Sequence, residues 1–177
     1  MPSKLPPAYG WLNQEKVLPR MISAGLGFLG VQEKAGPADN PEIMRWAKEV
    51  GVSGYTADSV PWCGLFMAKV SKDAGKAVPK APLWALNWQH FGVEGGQPDL
   101  GDTLVFVRAG GGHVGLYVGE DHDCYHVLGG NQGDAVSIVR IARERLYAVR
   151  QPVYTTKPAS ARPYILKASG VVSTYEQ

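Results

Sequence analysis

The chain is poor in cysteine, in long apolar runs and in charge of either sign, and each shortage closes a class of function. Its 177 residues hold two cysteines, Cys63 and Cys124. A domain of this size buries roughly 70% of the surface its unfolded chain exposes, so it needs no staple, and two cysteines make no disulfide framework. Both are read as free thiols. No stretch of about 18 apolar residues occurs, which argues against membrane insertion as a helix. Met-Pro-Ser-Lys-Leu-Pro-Pro-Ala-Tyr-Gly at the N-terminus lacks the apolar centre of a secretory signal. The expectation is a soluble chain made in the cytoplasm.

Lys+Arg 18 against Asp+Glu 16 gives a net charge of +2 with no basic run, so a nucleic-acid partner is not expected. The histidines lack HExxH spacing and the cysteines form no CxxC, so neither a metal nor another cofactor is called for. Gly110 to Gly112 leads into a strand pattern, where no helix N-terminus could cradle a phosphate. Gly 22 and Pro 13 punctuate apolar segments throughout, without repeat or low-complexity tract.

What is present reads as helices followed by strands. Residues 1–10, with three prolines, are expected to form an extended arm. A helical pattern opens at Leu12 and runs through Leu26, fraying at Gly25, Gly27 and Gly30. Asn40-Pro41 supplies the N-cap and N1 pair of a second helix, with Gly51 as its stop. Ser59 to Gly75 reads as a third, with Ser59 as N-cap and Pro61 in the first turn; Trp62, Phe66 and Val70 make one face apolar. One or two helical turns fit around Trp84 to Trp88. From Pro98 the period changes to two, and five strands fit near 102–108, 112–119, 123–128, 135–141 and 145–151. The fold class is α+β, with the third helix packed on an antiparallel sheet. One domain spans 1–152, and 153–177 reads as a linker and a tail able to dock through Ile165, Leu166, Val171 and Val172.

Cys63 falls in the first turn of the third helix. There the unpaired amides and the positive helix end favour thiolate over thiol, and the expected pKa lies below the free value of about 8.5. The same amides could hold an oxyanion. A cysteine hydrolase also needs an imidazole and a polar group that fixes its tautomer. His113 opens a strand behind three glycines, where a cysteine could approach closely; His122, in an acidic turn, and His126, deeper in its strand, are rivals. Asn131 ends a Gly-Gly-Asn turn that could place its amide beside His113, with Gln132 as the alternative orienter. Glu33, Asp58 and Trp62 are supporting candidates that could shape the cleft or hold a substrate amine. Asp58 could equally act as a cap beside Ser59.

Taken together, Glu33, Asn40-Pro41, Pro61-Trp62-Cys63, Gly101-Asp102, Gly112-His113-Val114-Gly115 and Gly129-Gly130-Asn131-Gln132 resemble the papain-like peptidoglycan hydrolases of the NlpC and CHAP type. The match covers roughly Leu12 to Pro152 and looks closest to a branch in phage and prophage lysis or tail proteins. The resemblance implies a papain-like fold, with Cys63 as nucleophile, His113 as base and acid, and Asn131 or Gln132 as orienter. It implies peptidoglycan as partner, an amidase or endopeptidase acting as a monomer, and action at the wall after release from the cell. The absence of a recognisable wall-binding repeat module implies a thin, accessible wall or a tethering partner. A papain-like protease, deamidase or acyltransferase on a protein substrate, or a non-catalytic virion module, are the competing expectations.

Overall fold

The computed structural model describes residues 4–168, 170–174 and 176. Three α-helices come first: α1 (Arg20–Leu26), α2 (Pro41–Val50) and α3 (Cys63–Asp73). Six strands follow: β1 (Val93–Glu94), β2 (Thr103–Arg108), β3 (Gly111–Glu120), β4 (Cys124–Gly129), β5 (Ser137–Ala142) and β6 (Leu146–Gln151). Short 3₁₀ segments lie at Pro7–Gln14, Ala85–His90 and Arg143–Arg145. The class is therefore α+β, and all strand pairings are antiparallel, in the order β1-β6-β2-β3-β4-β5. The sheet has six strands where the sequence pattern gave five, because β1 is a two-residue pairing of Val93 and Glu94 with Gln151 and Arg150. No helix among the described residues is long and apolar enough to cross a membrane.

The apolar faces explain the layering. Leu65, Phe66, Met67, Ala68 and Val70 of α3 are fully buried, in one cluster with Val105, Val114, Leu116, Val118 and Leu128 of the sheet. Each large side chain so buried contributes roughly 1.5–3 kcal/mol, enough to fix α3 against β3 and β4. The second sheet face carries a smaller cluster including Leu104, Phe106, Tyr117, Tyr125 and Val127.

Several expected boundaries move. Pro7–Gln14 is a 3₁₀ segment where an extended arm was expected, because Tyr9 and Leu12 are buried in the core and the Tyr9 amide bonds to the Pro6 carbonyl at 2.9 Å. The helix expected from Leu12 does not run through to Leu26: Pro19 disfavours α geometry at Leu18, and α1 starts only at Arg20. The α3 helix begins at Cys63, four residues after Ser59, which caps nothing. A turn closed by the Val60 amide on the Ala57 carbonyl holds Ser59, and Pro61 keeps Val60 out of helical geometry. The second helix matches expectation, with Asn40 Oδ1 accepting from the Glu42 amide at 2.8 Å and Gly51 at φ 76°.

Residues past β6 return to the domain. The Glu120 amide bonds to the Tyr164 carbonyl at 2.8 Å and the Leu166 amide to the Glu120 carbonyl at 2.7 Å. Further on, Val172 bridges to Arg140 of β5, and Glu176 bridges antiparallel to Gln132.

Candidate active site

The first intrahelical bond of α3 runs from the Phe66 amide to the Trp62 carbonyl, so the amides of Cys63, Gly64 and Leu65 precede the helix's own hydrogen-bond ladder. Cys63 is thus the first helical residue, with its thiol at the positive helix end. The thiol lies against the backbone of Val114, the residue after His113, and hydrogen bonding there and from Gly64 favours the thiolate. Burial acts the other way and wins: Cys63 is 3% exposed, and its pKa is pushed above the ordinary value. The lowered pKa expected from helix position alone is thereby corrected, because desolvation of a charged sulfur outweighs the helix end.

His113 pairs with Phe106 across β2 and β3, its ring near parallel to the phenyl at 6.5 Å. It is fully buried. Its Nε2 lies 3.0 Å from Oε1 of Gln132. The tautomer follows from Gln132, whose amide nitrogen donates to the carbonyls of Val127 at 3.1 Å and Ser137 at 2.7 Å. Those two acceptors fix which end of the amide is nitrogen, leaving Oε1 to accept from His113. Nε2 therefore carries the proton, and Nδ1 is the basic nitrogen. Nδ1 is buried without a hydrogen bond among the described residues, and it is not bonded to the thiol. Burial pushes the imidazole pKa down to about 4, against the Gln132 hydrogen bond and the nearby Glu176 carboxylate. In this state thiol and imidazole are both neutral.

The ring's hydrogen bond is to Gln132, the alternative to Asn131. Asn131 sits at φ 56°, the left-handed turn residue that delivers Gln132 to the ring. The preceding glycines make that approach possible. A Cβ on Gly129 would lie 2.5 Å from Gln132 Oε1, and one on Gly130 would lie 2.5 Å from Phe66 and 2.8 Å from Trp62. The 129–132 turn therefore spans from the imidazole to the residue before the thiol. Thiol, imidazole and amide are brought to one end of the sheet, where the pairing of β3 with β4 has stopped at Leu116 and Leu128.

The supporting candidates separate. Trp62 is fully buried and its Nε1 donates to Glu33 Oε2 at 3.4 Å, a long contact; burial raises the Glu33 pKa despite that bond. Asp58 neither caps nor faces the thiol. Its Oδ2 accepts from the amides of Lys34 at 2.9 Å and Asn40 at 2.7 Å, which ties the 34–40 loop to the approach of α3. His122 is exposed and bonded to its neighbour Asp123. His126 belongs to a separate buried network. Its Nδ1 is 2.8 Å from the Tyr9 hydroxyl and its Nε2 2.8 Å from Asp121 Oδ2, while Arg140 grips both oxygens of Asp121 at 2.7 and 3.1 Å. Arg140, aided by backbone amides and His126, holds the Asp121 carboxyl well below the usual range against its burial. Burial depresses the His126 pKa.

Sequence reasoning missed two residues beside His113. Glu176 is 2% exposed and accepts from Arg145 Nη2 at 2.7 Å. Burial alone would raise its pKa, but Arg145, Ser173 and His113 hold it below the ordinary value. On His113, which has no charged group hydrogen-bonded to its ring, burial prevails, so the pair is a carboxylate beside a neutral imidazole. A lone Glu in a tail following a linker carried no signal. Only the fold brings it here.

Among the described residues, no group of three or more His, Cys, Asp or Glu side chains is placed to hold a metal ion. Both cysteines are free and buried. No model of a known protein family matches this chain, and neither does any curated protein.

Proposed function

We propose that this chain is a papain-like cysteine hydrolase that cleaves an amide bond of peptidoglycan, as an endopeptidase or N-acetylmuramoyl-L-alanine amidase of the phage or prophage lysis type. The carrying observation is the arrangement at the end of the sheet: a thiol at a helix start, against the residue next to an imidazole whose Nε2 is committed to an amide oxygen. That commitment leaves Nδ1 as the base. The choice of peptidoglycan rests on the resemblance of the motifs, and on no contact with a wall fragment.

The chemistry follows from these groups. Nδ1 of His113 takes the thiol proton as sulfur attacks the carbonyl carbon of the amide. Charge on the carbonyl oxygen is met by the amides of Cys63 and Gly64 at the helix start. Collapse breaks the C–N bond, His113 returns its proton to the leaving amine, and a thioester remains on Cys63. Water, deprotonated by the same nitrogen, then releases the acid and restores the thiol. Gln132 keeps the ring in the required tautomer throughout.

The test is digestion of purified sacculi with wild type and Cys63→Ala, with mass spectrometry of the released ends. New amine and carboxyl ends from wild type alone support the reading and identify the bond. Their absence, with both proteins folded, overturns it. The buried, protonated Cys63 favours a second reading, a virion module that keeps the fold without turnover, and this is what the negative result would support.

A further inference from the structure

We propose that residues 170–174 and 176 are a tethered occupant of this site, and that Arg145 is the residue that binds a carboxylate of an extended acidic peptide there. The inference rests on the hydrolase reading for the site's purpose, and three independent observations carry it.

The first is the mode of pairing. Glu176 forms an isolated antiparallel bridge with Gln132, the residue hydrogen-bonded to His113, so the tail meets the site by backbone pairing, the kind of contact an extended peptide can make. The second is the carboxylate. One oxygen of Glu176 is taken by Arg145 at 2.7 Å, and a hydrogen bond from the Ser173 side chain also holds the buried carboxylate in its charged form. Nδ1 of His113 is buried without a hydrogen bond among the described residues, and the two groups interact electrostatically. A carboxylate packed at 2% exposure is held there by the Arg145 guanidinium and the Ser173 side chain, beside the His113 imidazole. It fits a site whose cation is built for a carboxylate.

The third is how lightly the rest of the segment is held. Val171 is 90% exposed. The segment is tied to β5 by the Ser173 amide on the Arg140 carbonyl at 2.8 Å, and by Arg140 Nη1 on the Gly170 carbonyl at 2.9 Å. Beneath it lies a cavity of about 390 Å³ lined in part by Tyr9, Val139, Gly170 and Thr174. The strap is thus anchored at Glu176, beside His113, and held before it by contacts to Arg140, while Cys63 and His113 are buried and neutral. Departure of the strap frees Arg145 for a substrate carboxylate and admits water to the thiol.

The experiment uses the full chain and needs no turnover. A fluorescein-labelled synthetic peptide with the sequence of residues 170–177 is titrated by anisotropy against wild type, Glu176→Ala, Glu176→Gln and Glu176→Ala/Arg145→Met. Iodoacetamide labelling of Cys63 is followed by mass spectrometry in the same proteins. The expected result is at least tenfold tighter peptide binding, and at least tenfold faster labelling, in both Glu176 single variants than in wild type. The Arg145→Met addition should weaken binding at least tenfold, as should replacing the peptide's Glu by Gln. Should Glu176→Ala fail to fold, Glu176→Gln, of the same shape, decides the matter. Wild-type binding and labelling in a folded Glu176 variant overturn the proposal, as does binding indifferent to the peptide's carboxylate. Sacculus digestion is scored separately: hydrolysis without these effects removes the strap and keeps the enzyme, and these effects without hydrolysis do the reverse.

Discussion

Oε1 of Gln132 accepts from Nε2 of His113 at 3.0 Å because the other end of the same amide is committed to the carbonyls of Val127 and Ser137. The two backbone oxygens therefore set the protonation pattern of a side chain they do not touch. Gln132→Ala should lower kcat on the order of 10²-fold with KM little changed, since the base remains present but its tautomer and aim are lost. Asn131→Gly, which preserves the left-handed turn, should retain most turnover. The opposite order, measured by steady-state kinetics on soluble wall fragments, returns the orienting role to Asn131.

Cys63→Ala should abolish hydrolysis while changing stability by only about 1 kcal/mol, since it removes one buried sulfur from a well-packed helix start. Thermal unfolding and sacculus clearing measured side by side check this. A large loss of stability accompanying the loss of activity would mark Cys63 as a core residue.

The parts of this fold that sequence exposes are those fixed by local chemistry. Five strand positions fall within two residues of their expected places, because short apolar runs of period two separated by glycine clusters mark them in the sequence. Asn40, Pro41 and Gly51 bound α2 by capping rules alone. Cys63 and His113 were legible for the same reason, one at a helix start and one behind glycines. What was not legible depended on tertiary competition. Ser59 looked like a cap until the Ala57–Val60 turn claimed it. Asn131 and Gln132 could not be ranked without knowing that Val127 and Ser137 point their carbonyls at the latter. The thiol's protonation was misjudged because the helix end is local, whereas the burial that opposes it is a property of the whole fold.

His126→Ala should cost about 2–3 kcal/mol of stability by leaving the Tyr9 hydroxyl and one Asp121 oxygen short of a partner in the interior. Turnover per folded molecule should be retained, since among the described residues the bonds of this network run to Tyr9, Asp121 and Arg140 and those of His113 to Gln132. Denaturant unfolding alongside initial rates separates the two quantities. Loss of turnover without loss of stability would make His126 part of the reaction.

Asp102 provides a pH-dependent case of the opposite sign to the buried histidines. Burial raises its carboxyl to about 6, against hydrogen bonds from the Asp99 amide and Gln151 and the charge of Lys157, while nearby Asp99 adds to the rise. Its folded pKa lies above its unfolded value of 3.8, so the folded state binds the extra proton and stability falls as pH rises between about 4 and 6. At 1.4 kcal/mol per unit, the ionised form costs about 3 kcal/mol at neutral pH. Asp102→Asn should therefore match wild type near pH 4 and gain stability up to a plateau above pH 6. A stability difference that stays constant over that range would show that ionisation of Asp102 is not the cause.

β5 ends the sheet, and at its outer side the chain returns to Arg140, through the Val172 bridge, the Ser173 amide and the Gly170 carbonyl. A strand in that position presents a row of open amides and carbonyls that other chains can use as a template. The tail that bridges to Gln132 therefore also sits at the middle of this edge. Whatever lifts it opens the edge at Arg140 at the same moment, so the state of the Gln132 end of the tail and a tendency to self-associate are tied together in this architecture.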